Sequence, residues 1–275
     1  MDFNFIASVV IWRECLEAIL IVGIFFSLLA QRPSFERTKK YLNAGILAGV
    51  GLSCLIAYFI QHAYSELQGL ALDYFEISLL VIASLMMTHM CLWMKHNSKK
   101  MVREAREKFE SALSSSRLVG ISVLTAIAIA REGSEIAIFL YSFVTQTATT
   151  GQASGLALSA GVGFALAALT GYLYFVGLKK FDLKWFFRIT SIFLLMTAST
   201  MLIEAVRRVM QMDLITFGVD PVWDTSWLVS DGHWFGRFLS TLVGYESQPA
   251  LIVLLTAAAF WVISLSLYLK PTEAK

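Results

Sequence analysis

The chain has 275 residues, of which 57% are hydrophobic and 15% are charged, and its mean hydropathy is +0.67. Soluble domains have about 45–50% apolar and about 25% charged residues, so this composition excludes a disordered chain and argues against a soluble enzyme. The net charge of +2 is too balanced for a nucleic-acid partner. The three cysteines form no Cys-x-x-Cys pair, so neither a zinc site nor a disulfide framework is indicated.

Seven segments are long and apolar enough to cross a bilayer as helices, since one crossing takes about 20 residues. In chain order they cover residues 4–30, 42–62, 73–94, 118–145, 153–178, 187–209 and 247–269. The charged stretch 97–117 predicts a further short helix outside the bilayer. Residues 210–246 contain Pro221, glycines and tryptophans, which is typical of an outer loop. The sequence therefore predicts an all-α membrane protein, with one transmembrane domain over residues 1–275.

Lysine and arginine are concentrated in alternate connections between these helices. After the odd-numbered helices lie Arg32, Arg37, Lys39, Lys40, Lys95, Lys99, Lys100, Arg103, Arg106, Lys108, Arg117, Lys179, Lys180, Lys184, Arg188, Lys270 and Lys275. The opposite face has only Arg207, Arg208 and Arg237. Because cytoplasmic loops carry the excess of basic residues, the N-terminus is predicted to lie outside and the C-terminus in the cytoplasm.

The first and fourth predicted helices contain the same pattern, Arg-Glu-x-x-Glu, at residues 13–17 and 131–135. Small residues recur in the helix that follows each motif: Gly45, Gly49 and Gly51 in the second, and Gly155, Ser159 and Gly163 in the fifth. Residues 4–94 and 118–209 therefore resemble two copies of a three-helix unit. Because three is an odd number, the copies cross in opposite directions, which predicts an inverted repeat. The outer loop 210–246 and the seventh helix 247–269 lie outside it.

Glutamates three residues apart share one helix face, so each motif presents a carboxylate pair: Glu14 with Glu17, and Glu132 with Glu135. At mid-bilayer each ionised side chain costs about 2.5–3.5 kcal/mol, so these groups must face the interior and meet one another, a cation or water. Carboxylates suit Mg, Ca, Mn and the harder iron states. No His or Cys accompanies them at the spacing of a copper or zinc site.

Arg13 and Arg131 cannot be metal ligands and are assigned to charge compensation. The structural alternative is that they only neutralise buried glutamates as ion pairs. Two copies of the motif at matching depth favour a functional site, because ionisable groups inside a membrane are functional candidates by default. Cys15, inside the first motif, is interpreted as a small apolar filler.

Three more acidic residues near the outer ends of helices are candidates for a secondary or access role. Glu76 and Asp73 open the third helix, where carboxylates could draw cations inward. The alternative is that they are helix-start acids at the positive end of the dipole. Glu204 precedes Arg207 and Arg208 by three and four residues, so a local ion pair explains it adequately. A stripe of Met86, Met87, Met90 and Met94 with His89 is interpreted as packing rather than a copper site.

At these residues the sequence resembles the oxidase-dependent, high-affinity iron permease family over nearly its whole length. The resemblance rests on the two Arg-Glu-x-x-Glu motifs, on Glu76, on the run DPVWDTSW at residues 220–227, and on Gly244-Tyr245 with Pro249. The chain departs from the common R-E-G-L-E form at Cys15 in the first motif and at Ser134 in the second.

The resemblance implies a permease that imports iron across the bacterial inner (cytoplasmic) membrane. Its metal ligands by position are Glu14, Glu17, Glu132 and Glu135. Iron, as Fe²⁺ or Fe³⁺, is then the transported substrate, and no tightly bound cofactor is predicted. The resemblance also implies oxidation of Fe²⁺ by partners, namely periplasmic iron-binding and oxidase or electron-transfer proteins, beside contact with membrane lipid.

Three alternatives stay open on the residues alone. A permease for another cation such as Mn²⁺ or Pb²⁺ would have the same motifs, because carboxylates discriminate poorly between such ions. An intramembrane di-metal oxidase would use Glu-x-x-His rather than Glu-x-x-Glu. A proton-coupled carrier of an organic solute would need a larger cavity. The favoured prediction is a transporter rather than an enzyme.

Overall fold

The computed structural model describes residues 4–30, 35–114, 118–147, 153–176, 183–230 and 233–269. Within these ranges the chain forms eight α-helices: α1 Phe5–Ala30, α2 Phe35–Glu66, α3 Leu70–Ser114, α4 Leu118–Thr147, α5 Ala153–Val176, α6 Leu183–Gln211, α7 Trp234–Val243 and α8 Leu251–Leu269. The only β-type pairing among the described residues is one isolated bridge between Pro221 and Ala250. The prediction of an all-α chain is confirmed.

Five helical segments in the described part of the chain are long and apolar enough to cross a membrane. They are Thr38–Glu66, Leu70–Lys95, Gly155–Phe175, Arg188–Gln211 and Leu251–Leu269. The protein is therefore a multi-pass membrane protein. Helices α1 and α4 have the length for a crossing, but each carries the three charged residues of its motif. The count of seven crossings and the orientation of the termini stay predictions.

Several helix boundaries differ from the predicted ones, including both ends of α2, which runs from Phe35 to Glu66 rather than over residues 42–62. The helix predicted over 97–117 is not separate: α3 continues without interruption to Ser114, because no Gly or Pro breaks this stretch. The seventh predicted helix begins at Leu251 rather than at residue 247, since residues 247–250 pair with the outer loop instead. That loop also contains α7, which ends at Gly244 with a left-handed φ of 73°.

Some predicted features lie outside the described residues. They include residues 115–117 and 177–178, which the predicted helices reached. They also include six of the basic residues used for the orientation: Arg32, Arg117, Lys179, Lys180, Lys270 and Lys275.

The chain forms two compact units. The first unit comprises Met1–Ala63 and Asn97–Lys184, and the second comprises Tyr64–His96 and Trp185–Lys275. The first unit thus contains α1, α4, α5, most of α2 and the end of α3. The second contains the first part of α3 together with α6, α7 and α8.

In the first unit, small residues let helices approach closely. A Cβ atom on Gly163 of α5 would lie 2.6 Å from the backbone oxygen of Ser8 in α1. A Cβ atom on Gly49 of α2 would lie 2.9 Å from the backbone oxygen of Ala126 in α4. Such close approaches stabilise helix association in a membrane. Apolar side chains gain little free energy there by moving from the lipid tails to a helix interface. Gly163 and Gly49 thus pack α1 against α5 and α2 against α4, whereas Gly51, another of the predicted small residues, has open space beside it.

A buried apolar cluster lies at one end of the first unit and consists of Phe25, Leu29, Leu42, Phe109 and Ile121. The Phe25 and Phe109 rings stack with their centroids 4.4 Å apart. The cluster draws side chains from α1, α2, the end of α3 and α4. The C-terminal extension of α3 is thus packed against the other helices of the first unit.

In the second unit, α3 packs against α6 through polar contacts to the backbone. The Ser84 hydroxyl donates to the Ala198 oxygen at 2.6 Å, and the Cys91 thiol donates to the Ser191 oxygen at 3.4 Å. Met87, Met90 and Met94 are buried beside these contacts, whereas His89 is exposed. This arrangement supports the interpretation of the methionine stripe as packing.

Candidate functional site

The two Arg-Glu-x-x-Glu motifs come together in the first unit, where α1 packs against α4. All four motif glutamates are buried: Glu14, Glu17, Glu132 and Glu135. They lie on two separate helices, so their proximity is a product of helix packing rather than of local sequence. A buried carboxylate needs hydrogen bonds, a counter-ion or a proton to offset its lost hydration.

Three of these glutamates form a cluster with the geometry of a cation site. Glu14, Glu132 and Glu135 each offer one carboxylate oxygen, and these oxygens lie within 4.8 Å of one another. Glu14 Oε2 and Glu132 Oε2 are buried without a hydrogen-bond partner among the described residues. Unsatisfied buried acceptors are unfavourable, and a hard cation would satisfy them. We call Glu14, Glu132 and Glu135 the three-carboxylate cluster.

Glu17 lies outside this cluster, although it shares the arginine of its own motif with Glu14. Arg13 Nη2 lies 2.9 Å from Glu17 Oε1, and Arg13 Nη1 lies 2.9 Å from Glu14 Oε1. The Arg13 side chain is only 1% exposed. The planar guanidinium therefore bridges the two carboxylates of the first motif and fixes their side chains relative to each other.

The second arginine is arranged less tightly. Arg131 Nε lies 3.2 Å from Glu135 Oε1 and 3.8 Å from Glu132 Oε1, and its side chain is 52% exposed. The two motifs thus have the same sequence pattern but unequal structures. In the first motif both glutamates pair with a buried arginine, whereas in the second motif they pair with a half-exposed arginine.

The two departures from the R-E-G-L-E pattern leave the carboxylates in place. Cys15 is half-buried and is not part of the three-carboxylate cluster. Ser134 donates its hydroxyl to the Arg131 backbone oxygen at 2.7 Å, within its own helix. At the position equivalent to Cys15, Gly133 makes room for the side chain of Ser53 on α2. In the second motif this position is therefore closely packed.

The candidate access residues lie in the second unit. Glu76 is buried and forms an ion pair with Arg208 of α6, while the Tyr64 hydroxyl also hydrogen-bonds it. Glu204 pairs with Arg207 at 3.3 Å, which confirms the predicted local ion pair. Asp73 lies in the first turn of α3, as expected of a helix-start acid.

One acidic residue of this network was not predicted from the sequence. Glu246, just before α8, lies 3.3 Å from Arg207 Nη2. A signal was present, because two adjacent arginines near the end of a crossing require more than one anionic partner. The partners could not be identified from the sequence, because Glu76 and Glu246 are distant from these arginines along the chain.

Replacing Glu76 by glutamine is expected to lower the stability of the protein by about 2–3 kcal/mol. This is less than the about 3–5 kcal/mol of a fully buried pair, because Arg208 keeps some contact with solvent. Thermal unfolding in detergent would measure the change. The Glu76→Gln/Arg208→Gln double variant should lose less than the sum of the single variants. Strict additivity would contradict a direct ion pair.

Comparison with known proteins identifies the family of this chain. The model of the iron permease FTR1 family matches residues 4–269. The ferrous iron permease EfeU of Yersinia pseudotuberculosis serotype I (strain IP32953) is 28% identical over 276 residues, covering 100% of this chain and 95% of the relative. EfeU of Escherichia coli O6:H1 (strain CFT073) is 28% identical over 263 residues, covering 95% and 92%.

No solved structure matches the chain significantly. The family match spans both motifs and both units, and the relatives are matched over nearly their whole length. The chain belongs to the iron permease FTR1 family, and it is a transporter rather than an enzyme, as its sequence predicted.

Proposed function

We propose that this protein imports iron across the bacterial inner membrane through a site formed by the motif glutamates. The observation that carries the proposal is the buried three-carboxylate cluster, because a cation would satisfy those of its oxygens that have no partner among the described residues. The family and the names of the curated relatives supply iron as that cation. In this proposal Glu14, Glu132 and Glu135 hold the ion, and Glu17 with Arg13 holds Glu14 in position.

The charges of the site favour a divalent ion. The four motif glutamates and two arginines leave two negative charges when all are ionised. One Fe²⁺ would neutralise them, and the curated relatives are described as ferrous iron permeases. Inward movement down an inside-negative potential would gain about 2.3 kcal/mol per charge per 100 mV. Oxidation of iron by periplasmic iron-binding and oxidase or electron-transfer partners is part of the same proposal and rests on the family resemblance.

We also propose the inverted repeat, and the packing of the first unit supports it. Gly163 of α5 approaches Ile11, which lies two residues before the arginine of the first motif. Gly49 of α2 approaches Ile129, which lies two residues before the arginine of the second motif. The α1–α5 contact therefore uses the same positions as the α4–α2 contact, as two related copies would.

In this proposal α1 and α4 also cross the membrane, which makes seven crossings with the N-terminus outside. The cost of their charged residues is offset because the glutamates are buried against one another and against Arg13. A midplane site between two inverted copies could be exposed first to one side of the membrane and then to the other.

Uptake by purified protein in liposomes tests the proposal. Radiolabelled iron, kept as Fe²⁺ with ascorbate, is added outside vesicles that have an inside-negative potential. Wild type and the Glu107→Gln variant, whose carboxylate is exposed on the α3 extension, should accumulate iron equally. The Glu135→Gln variant should accumulate only the background amount.

The same assay tests whether another cation is the substrate. If excess Mn²⁺ or Pb²⁺ leaves iron uptake unchanged, iron is the preferred substrate. If either ion abolishes iron uptake and is itself accumulated, the assignment to iron fails while the site stands. If Glu135→Gln transports like wild type, the proposed site is wrong.

A further inference from the structure

The backbone of the segment between α6 and α8 is hydrogen-bonded to residues at the start of α8. We call residues 213–230 the aromatic loop. Three backbone hydrogen bonds join it to residues 247–252: the Val222 N–H donates to Pro249 O (3.0 Å), the Thr225 N–H to Ser247 O (2.8 Å), and the Ile252 N–H to Gly218 O (3.2 Å). The loop is therefore attached to the first turn of α8 rather than projecting freely.

Side chains reinforce this attachment. Asp224 accepts hydrogen bonds from the hydroxyl and the backbone N–H of Ser226 and from Gln248 Nε2. These bonds, those from Ser226 first, hold the pKa of Asp224 below its usual range, so the carboxylate stays ionised. The Tyr245 hydroxyl bonds both Thr225 and the Val229 oxygen. The loop conformation is thus determined by contacts within the second unit.

This ordered loop presents large apolar side chains outward. Trp227 is 81% exposed and Phe217 is 69% exposed, and Trp223, Leu228 and Leu214 are exposed as well. Leaving such a side chain in water instead of burying it forgoes about 1.5–3 kcal/mol. Since the loop is already tied through its polar groups, these side chains require a covering from outside the described chain.

The position of the loop identifies that covering. The pairing of Pro221 with Ala250 places the loop at the level of Leu251, where the apolar sequence of α8 begins. Leu251 is itself exposed and lies next to Gly218, so the apolar surface of the loop continues into the exposed apolar surface of α8. Tryptophan is enriched at this level in membrane proteins, because its ring is apolar and its N–H can remain hydrated.

We infer that the aromatic loop inserts its exposed side chains into the lipid headgroup region on the membrane face where α8 begins, with Trp227 as a principal contact. The surface is a lipid-binding surface and anchors the ends of α6 and α8 at a fixed depth. This inference does not depend on which ion is transported.

Fluorine NMR on protein labelled with 5-fluorotryptophan in lipid nanodiscs tests the inference. The Trp227 resonance is assigned by its disappearance in the Trp227→Phe variant. Lipid carrying a spin label near its headgroup should broaden this resonance beyond detection. An aqueous gadolinium chelate should leave it visible. Trp261, within α8, is the reference for a residue of a membrane-crossing helix.

Two outcomes overturn the inference. If the chelate broadens Trp227 and the labelled lipid does not, the loop lies in water above the membrane. If neither reagent broadens it, the side chain is covered by protein. An unchanged thermal unfolding transition in the Trp227→Phe variant would show that the protein remains folded and that the assignment is valid.

Discussion

Replacing Glu132 by glutamine is expected to weaken iron binding by about 100-fold or more while leaving thermal stability nearly unchanged. Loss of a group that only orients a metal ligand typically costs about 10–100-fold in affinity, and a direct ligand is worth at least as much. Glu132 contributes to the three-carboxylate cluster, and its Oε2 is buried without a partner in the described structure. Its 3.8 Å pair with the half-exposed Arg131 is weak, so the substitution does not take a close partner from a buried arginine. Anaerobic equilibrium dialysis with radiolabelled Fe²⁺ would measure the affinity.

Glu17→Gln is the matched control, since it makes the same chemical change in the other motif. The Glu17 carboxylate lies 2.9 Å from the buried Arg13 and outside the three-carboxylate cluster. Removing its charge should lower stability by less than the about 3–5 kcal/mol of a pair left uncompensated, because Arg13 keeps Glu14 as a partner. Iron affinity should fall less than in Glu132→Gln. Equal loss of affinity and equal stability in the two variants would mean that the motif glutamates have the same role.

The second large effect is expected from Gly163, where substitution by alanine should destabilise the protein by about 1–3 kcal/mol. An added Cβ would lie 2.6 Å from the Ser8 oxygen and 3.0 Å from Ile11 Cβ, so α5 must move away from α1. Gly161, two residues earlier on the same helix, is the control. No atom lies within 4 Å of a Cβ atom added there. Gly161→Ala should be neutral or stabilising by up to about 1 kcal/mol, because alanine is the better helix former.

The same comparison is available on α2, at the corresponding contact. A Cβ on Gly49 would lie 2.7 Å from Ile129 Cβ, whereas a Cβ on Gly51 would meet nothing within 4 Å. Opposite signs for Gly49→Ala and Gly51→Ala in thermal unfolding would support the same mode of packing in both contacts. If Gly51→Ala and Gly161→Ala destabilise the protein as much as Gly49→Ala and Gly163→Ala do, this mode of packing is contradicted. The loss of stability would then arise within each helix rather than from contacts between helices.

The sequence by itself determined the helical class, the positions of the long helices and the family. Apolar runs of about 20 residues must be helical in a membrane, because lipid offers no hydrogen bonds to an open backbone. The Arg-Glu-x-x-Glu motifs were visible for the same reason, since charged residues within such runs are costly and therefore conspicuous. Local rules also predicted the Glu204–Arg207 pair, whose members lie one helical turn apart.

Only the tertiary structure decided how the motif residues are arranged around their two arginines. Identical motifs predict four equivalent glutamates, yet Arg13 binds Glu14 and Glu17 while Arg131 remains half-exposed. The difference depends on how α1 and α4 meet, which spacing within one helix does not define. The pairs Glu76–Arg208 and Glu246–Arg207 were likewise out of reach. Their members are brought together by packing across many intervening residues, and a one-dimensional pattern carries no distances between helices.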